Sequence, residues 1–408
     1  MSAAHRYDVI IAGGGMVGAS LALALSGLGL DIAVLEAVPL EASDQPSYDA
    51  RATAVSLGSQ RIFSTLEVWP EVSADATPIE QIHISDRGNF GFTRIGAREQ
   101  GVEALGYVVE NRCLGAALWE RLAGLSDVSV LCPARLERVA ASQAGVRVEI
   151  AKPDHLVLQG RLLVAADGAR SSVRELLNIA ATAWDYRQNA IVANVSAEEF
   201  HDHIAYERFT SNGPLAFLPM SDGRCNVVWS IDSTRTDEIM ALSERDFLTL
   251  LQAEFGFRLG ALKKVGARHS YPLSLVKSTQ SGAERVVFVG NAARSLHPIA
   301  GQGFNLGLRD VAALGEAIAD GARQGEDPGS PAVLESYAAW RSDDQRRAIL
   351  FTDGLVRLFT NPLGPVMLAR NLGLLSLDIF PPAKRALAKH SMGVWGKQPR
   401  LARGVPLA

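Results

Sequence analysis

A glycine fingerprint between two apolar strands constrains this chain more than any other stretch. Residues 6–37, RYDVIIAGGGMVGASLALALSGLGLDIAVLEA, divide into a short buried strand, a helix and a second strand ending at Glu36. Between the first strand and the helix lies Gly13-x-Gly15-x-x-Gly18. Gly13 permits the tight turn, Gly15 lets backbone approach a pyrophosphate, and Gly18 lets helix and strand pack closely. The helix N-terminus then offers free N–H groups and a partial positive charge to an anion. Glu36 is placed to accept hydrogen bonds from the ribose hydroxyls of an adenosine. The unit predicts a Rossmann-like domain that binds an ADP-containing dinucleotide.

The same residues invite a second reading. Val9 to Leu30 carries no charge and is long enough to cross a bilayer, with Gly14 and Gly18 forming a GxxxG pair. It also resembles a signal-peptide core. Three adjacent glycines would weaken such a helix, the preceding MSAAHRYD is only weakly basic, and no small-residue cleavage pattern follows. A parallel strand covered on both faces explains the apolarity without a membrane. The chain has 408 residues, 48% hydrophobic and 21% charged, which leaves room for a large core and more than one domain. Its net charge of −4 provides no global basic field for nucleic acid. Cys113, Cys132 and Cys225 have neither CxxC nor metal-like spacing, so a reducing compartment is expected and a metal centre is not. The expected location is cytoplasmic, with peripheral contact at the inner membrane as its extension.

Two later stretches separate FAD from NAD. RLLVAADGARSSVRELL (161–177) reads as a buried strand ending in Asp167-Gly168, with Ser171 and Arg174 behind it. ERVVFVG (284–290) is again a buried strand, and GFNLGLRDVAALGEAIADGA (303–322) is an amphipathic helix. A second strand, glycine-rich loop and helix thus arrive about 270 residues after the first. GxGxxG with its distal Glu, DGxxSxxR, and the GNAA…P..GQG.N.G..D run together resemble the flavin-dependent aromatic hydroxylases of the para-hydroxybenzoate hydroxylase type. Within them, DARATAVS, LGYVVENRCLGAALWERL and LHPIAGQGFNLGLRD are similar to the ubiquinone-biosynthesis hydroxylases, in particular those acting on 2-polyprenyl-6-methoxyphenol. The resemblance runs through most of residues 6–345. It departs at Gly290-Asn291, where most of the family has Gly-Asp.

The resemblance implies FAD as cofactor and a mixed α/β fold. A discontinuous Rossmann-like FAD domain (1–75, 100–183, 276–345) would interleave with a mostly antiparallel β substrate domain (76–99, 184–275), followed by a helical segment (346–408). It gives Gly13, Gly15, Gly18 and Glu36 to the nucleotide end. Arg51 and Arg112 would touch the flavin, and Asn291 its ribityl or phosphate oxygens. Asp167 would support the nucleotide-side loops, with a plain Asp-Gly turn as the alternative. Gly301, Gly303 and Asn305 would bring backbone and a helix N-terminus against the flavin ring, where negative charge collects on reduction. Pro298 would wall the ring. His297 would orient or deprotonate a phenol, with a packed loop histidine as the alternative. The implied reaction is ring hydroxylation of a prenylated phenol by dioxygen through a flavin hydroperoxide. No further GxGxxG occurs, so NAD(P)H would reduce the flavin without a Rossmann domain of its own. Other ubiquinone-biosynthesis proteins are the implied partners. Another ring-hydroxylation step of the same pathway, and a flavin reductase, dehydrogenase or non-catalytic flavoprotein on the same fold, are the competing readings.

In the middle of the chain NAIVANVSAEE, HIAYERFT and GRCNVVWSIDS alternate as half-buried strands do. GPLAFLPM (213–220) reads as an apolar loop with two prolines. Ser243 and Asp246 form a helix-capping pair. The apolar helices after residue 346 suit either core packing or a lipid- or partner-facing surface.

Overall fold

The computed structural model describes residues 5–39, 51–151, 156–295, 302–361 and 363–408. The uncharged stretch near the start is strand, turn and helix. Strand His5–Ala12 lies between Ile32–Leu35 and Leu156–Ala165, parallel to both. Val128–Leu131 extends the sheet on one side and Val286–Phe288 on the other, again in parallel. Val9, Ile10 and Ile11 are completely buried because helices or an antiparallel flap cover both faces. Helix Met16–Leu25 packs on the long helix Gln302–Arg323 through Leu21, Leu25, Leu308 and Val311. Among the described residues no helix is long and apolar enough to cross a membrane.

A second sheet runs in the order Arg294–Ser295, His269–Ser278, Ala181–Ala197, Arg224–Asp232, Gly213–Pro219, Ile204–Thr210, Gln81–Asp86 and Phe92–Gly96. Its pairings are antiparallel except that Ile204–Thr210 runs parallel to Gln81–Asp86. Helix Glu244–Phe255 covers one face, setting Phe247, Leu251 and Phe255 against Phe217, Val227 and Trp229. Ser243 caps that helix, its hydroxyl accepting from the Asp246 amide at 3.2 Å. Residues 213–219 are a central strand, not a loop. The two prolines fall at its ends, paired with Phe209 and Cys225, so the interior residues keep their N–H donors for the ladder. The other face of the sheet looks towards the first sheet. A small three-stranded sheet (Ala52–Ser56, Gly106–Glu110, Thr77–Ile79) lies between them.

Helices Pro331–Thr360, Gly364–Ile379 and Pro381–Ser391 close the chain. Gly364–Ile379 packs on Phe92–Gly96 and is pinned there by a buried ion pair. Arg370 donates to both oxygens of Asp86 at 2.8 and 3.2 Å and to the Phe359 carbonyl at 2.9 Å. Asn371 adds a donor to Asp86 at 2.9 Å and accepts from the Gly91 amide at 2.7 Å. These contacts compensate a charge that burial would otherwise penalise by several kcal/mol. Leu374 turns inward onto Phe209 and Phe359, while Leu368, Leu372, Ile379 and Phe380 are exposed.

Candidate active site

The first glycine turn is held by sterics and by one carboxylate. Gly13 has φ of +102°, and a Cβ there would come within 2.6 Å of the Ala166 carbonyl oxygen. A Cβ on Gly18 would strike the Gly13 carbonyl. Gly14 is equally constrained, because a Cβ would sit 2.7 Å from the Trp119 ring. Glu36 is buried, and its two oxygens accept from the amides of Gly14 and Val38 at 2.8 Å each. The acid at the end of the second strand therefore shapes the loop besides facing the cavity. No side chain caps helix Met16–Leu25, so its first N–H groups stay open for an anion.

The second and third motifs are joined to each other. One oxygen of Asp167 accepts from Ser172 Oγ at 2.9 Å and the Val173 amide at 3.1 Å. The other, Oδ1, is buried without a partner among the described residues, in a side chain that lines the cavity. Arg174 donates to the carbonyls of Ala169 at 2.8 Å and Ala292 at 2.9 Å, tying the Asp-Gly turn to the turn at Asn291. Gly290, at φ +57°, donates its amide to Asp310 at 3.1 Å. Asp310 has no exposed surface and also accepts from Arg294 at 3.0 Å and Arg341 at 2.8 Å. Burial alone would raise this carboxyl; the two guanidinium groups outweigh it and hold Asp310 below the ordinary Asp range. Sequence reasoning gave no role to Asp310, Arg294 or Arg341. A usable signal was present: Leu306, Asp310 and Leu314 are four apart, which puts the acid on the buried stripe of the helix.

These elements enclose a cavity of about 1550 Å³. It begins at Gly13, Gly15, Glu36 and Asp167, passes Arg51, Asn291, Gly303 and Asn305, and ends against the second sheet and the C-terminal helices. Arg51 stacks its guanidinium on Tyr271, 4.8 Å from the ring centre. Asn305 accepts from the Ser56 amide and donates to the Ala54 carbonyl, both at 2.8 Å, anchoring the helix N-terminus to strand Ala52–Ser56. Among the described residues, a Cβ on Gly303 would meet nothing within 4 Å. Arg112 is not among the cavity's lining residues. It is largely exposed and pairs with Glu110 at 2.5 Å. His297, Pro298 and Gly301 lie outside the described residues.

An orphaned Asp167 oxygen, an uncapped helix end and bare backbone at the first glycine loop fit a dinucleotide laid along this wall. The FAD binding domain family matches residues 6–352. The chain belongs to this family. It is 40% identical to the ubiquinone hydroxylase UbiL of Rhodospirillum rubrum over 409 residues, covering all of this chain and 95% of that one. It is 32% identical to the 3-demethoxyubiquinol 3-hydroxylase of Escherichia coli over 395 residues, 95% of this chain and 98% of that one. Among solved structures, the p-nitrophenol 4-monooxygenase PnpA of Pseudomonas putida shares the fold with a TM-score of 0.79 at 18% identity, over 95% of this chain and 98% of that one. This member of the FAD binding domain family is an FAD-dependent monooxygenase.

One further residue of the cavity escaped sequence reasoning. Glu207 points from the second sheet into the lumen, and the alternation of HIAYERFT already puts it on one face with Ala205 and Phe209.

Proposed function

We propose that the protein hydroxylates the ring of a polyprenylated phenol in ubiquinone biosynthesis, with 2-polyprenyl-6-methoxyphenol as its substrate. The observation that carries this reading is the length and double character of the cavity. Single-ligand pockets occupy about 300–1,000 Å³, and this one is larger, with a backbone-lined polar end and an apolar end. Bound FAD would supply the redox chemistry, passing electrons from NAD(P)H to dioxygen. The protein's own groups do the rest. The loop shaped by Glu36 and the uncapped helix end bind the nucleotide, while Arg51, Asn291 and Asp167 reach its middle. Ile82, Leu218 and Val228 form a dry wall for the aromatic ring, which excludes water and fixes orientation. Phe359, Leu374 and Leu377 line the end suited to a prenyl chain. The exposed Leu368, Leu372 and Ile379 lie on the helix that supplies Leu374 and Leu377, which suits loading from the inner-membrane surface.

The test is reconstituted turnover. Purified flavin-loaded protein, NAD(P)H and 2-polyprenyl-6-methoxyphenol should consume one dioxygen per ring hydroxylated, read by an oxygen electrode and mass spectrometry. Oxidation of NAD(P)H that yields peroxide but no hydroxylated ring would sink the reading. Hydroxylation only of a different prenylated phenol would move the substrate to another step of the pathway.

A further inference from the structure

Glu207 stands alone in an apolar wall. Its neighbours on the same row of the sheet are Ile84, Ala216, Val228 and Val192, set by strand register. Ala205 and Phe209 flank it along its own strand, and all six line the cavity. Its carboxyl makes no hydrogen bond or ion pair among the described residues. The surface it retains faces the lumen rather than bulk water. Burial pushes its pKa up to about 7.

Among the described residues, the charged groups around it are engaged elsewhere. On Gln81–Asp86, Asp86 is held by Arg370 of helix Gly364–Ile379. His83 lies on the opposite face beside Tyr206, and burial, helped by Arg258, Arg94 and Arg208, lowers it to about 4. Arg208, next in sequence, turns to that same face and donates to the Glu254 carbonyl at 2.9 Å. On helix Pro331–Thr360, Asp353 pairs with Arg357 at 2.8 Å. Strand Gly213–Pro219 brings no titratable side chain. Across the cavity, Arg51 lies over Tyr271. An unpaired carboxyl in such surroundings is unfavourable for folding, and isolated, perturbed acids of this kind gather at functional sites.

We propose that Glu207 is the base that removes the hydroxyl proton of the bound phenol. This inference rests on the phenol-hydroxylase reading above. In the step, the phenol O–H bond breaks and a carboxyl O–H bond forms on Glu207. The electron pair stays on the phenolate oxygen and enriches the ortho and para ring carbons, which favours attack on an electrophilic oxygen. The proton returns to a ring oxygen of the product, so the carboxylate is regenerated and no other reactant is needed. A base that titrates near the working pH is well matched to such a transfer, and general-base catalysis is worth about 10²–10⁴ in rate.

The experiment uses flavin-loaded wild-type protein, Glu207→Gln and Glu207→Asp. Infrared titration without substrate should show a protonated carboxyl band that disappears near pH 7 in the wild type and is missing from Glu207→Gln. With 2-polyprenyl-6-methoxyphenol, wild-type kcat/KM should rise with pH through about 7. Glu207→Gln should lose that limb and at least about 100-fold in rate at pH 8, with FAD stoichiometry unchanged. Glu207→Asp should restore the limb with part of the rate. A Gln variant with wild-type rate and limb, or no carboxyl titrating near neutrality, overturns the proposal. If Glu207→Gln does not fold, the wild-type and Asp titrations decide. A wild-type protein that shows the carboxyl band yet hydroxylates no phenol refutes the functional reading itself, which separates the two failures.

Discussion

Asp310 and Glu207 are both acids withdrawn from bulk water, one in each half of the molecule. Asp310 meets two guanidinium groups and a backbone amide, and stays charged. Glu207 meets hydrocarbon and open cavity, and is pushed up to about 7. The chemical group is nearly the same; the surroundings decide its use. A fully paired carboxylate fixes the geometry of the Gly290 turn. An unpaired one keeps a proton it can exchange. The Gly290 turn is thus fixed by a paired carboxylate, whereas the second sheet turns an unpaired one towards the cavity.

The contrast can be broken most severely at Asp310. Asp310→Ala leaves Arg294 buried without its carboxylate and reduces Arg341 to its pair with Asp344, a loss on the scale of ~3–5 kcal/mol. Denaturant unfolding should show that drop, together with failure to retain FAD. An Asp310→Ala protein of normal stability would mean that the paired acid is not a structural clamp.

The two acids should also tilt stability against pH in opposite directions. Asp310 lies below its ordinary range when folded, so its contribution is complete above that range and is lost as pH falls. Glu207 keeps its proton to about 7 when folded but releases it near 4.5 when unfolded. From that group alone, stability falls as pH rises between those values, by up to about 3 kcal/mol. Urea unfolding of flavin-loaded protein from pH 5 to 8 should flatten in this direction for Glu207→Gln. An unchanged profile would place the carboxyl in ordinary solvent.

Glu36 is a smaller test on the side of the paired acid. Glu36→Ala removes two acceptors from the loop amides and should weaken FAD by about 1–3 kcal/mol, the scale of charge-assisted hydrogen bonds. The measurement is a flavin titration by fluorescence, and unchanged affinity would leave Glu36 without a binding role. Smallest of all, Arg112→Ala breaks an exposed pair with Glu110. It should alter stability by no more than about 1 kcal/mol and leave FAD affinity as it was. A large loss of flavin would return Arg112 to the site.

Sequence reasoning reached the flavin half readily because glycines announce close backbone approaches. Gly13 and Gly18 follow from the motif: Gly13 takes φ +102°, and a Cβ on Gly18 would strike the Gly13 carbonyl. Gly14 did not follow from it, since its constraint comes from Trp119, a partner far along the chain. Asn305 sat in a motif and was assigned to the cofactor, yet its amide holds the backbone at Ala54 and Ser56. The reading of residues 213–220 as a loop failed because proline was counted without asking where in a strand it stood. Glu207 was overlooked for a different reason. Alternation places it on a face, but which face lines a cavity depends on the helix packed against the other side.

The parallel pairing of Gln81–Asp86 with Ile204–Thr210 also has a consequence in time. Six strands of the first sheet, the last ending at Ala165, lie in the first 165 residues to be synthesised. The hairpin Gln81–Gly96 must meanwhile wait for a neighbour about 120 residues away, roughly 6–24 s at ordinary elongation rates of 5–20 residues per second. An isolated two-stranded hairpin is marginal in water, and this one carries Ile82 and Ile84 on the face that later lines the cavity. The nascent chain therefore exposes an open, apolar sheet edge beside an already forming nucleotide domain. The second sheet is also fastened from far along the chain, because the Arg370–Asp86 pair spans 284 residues.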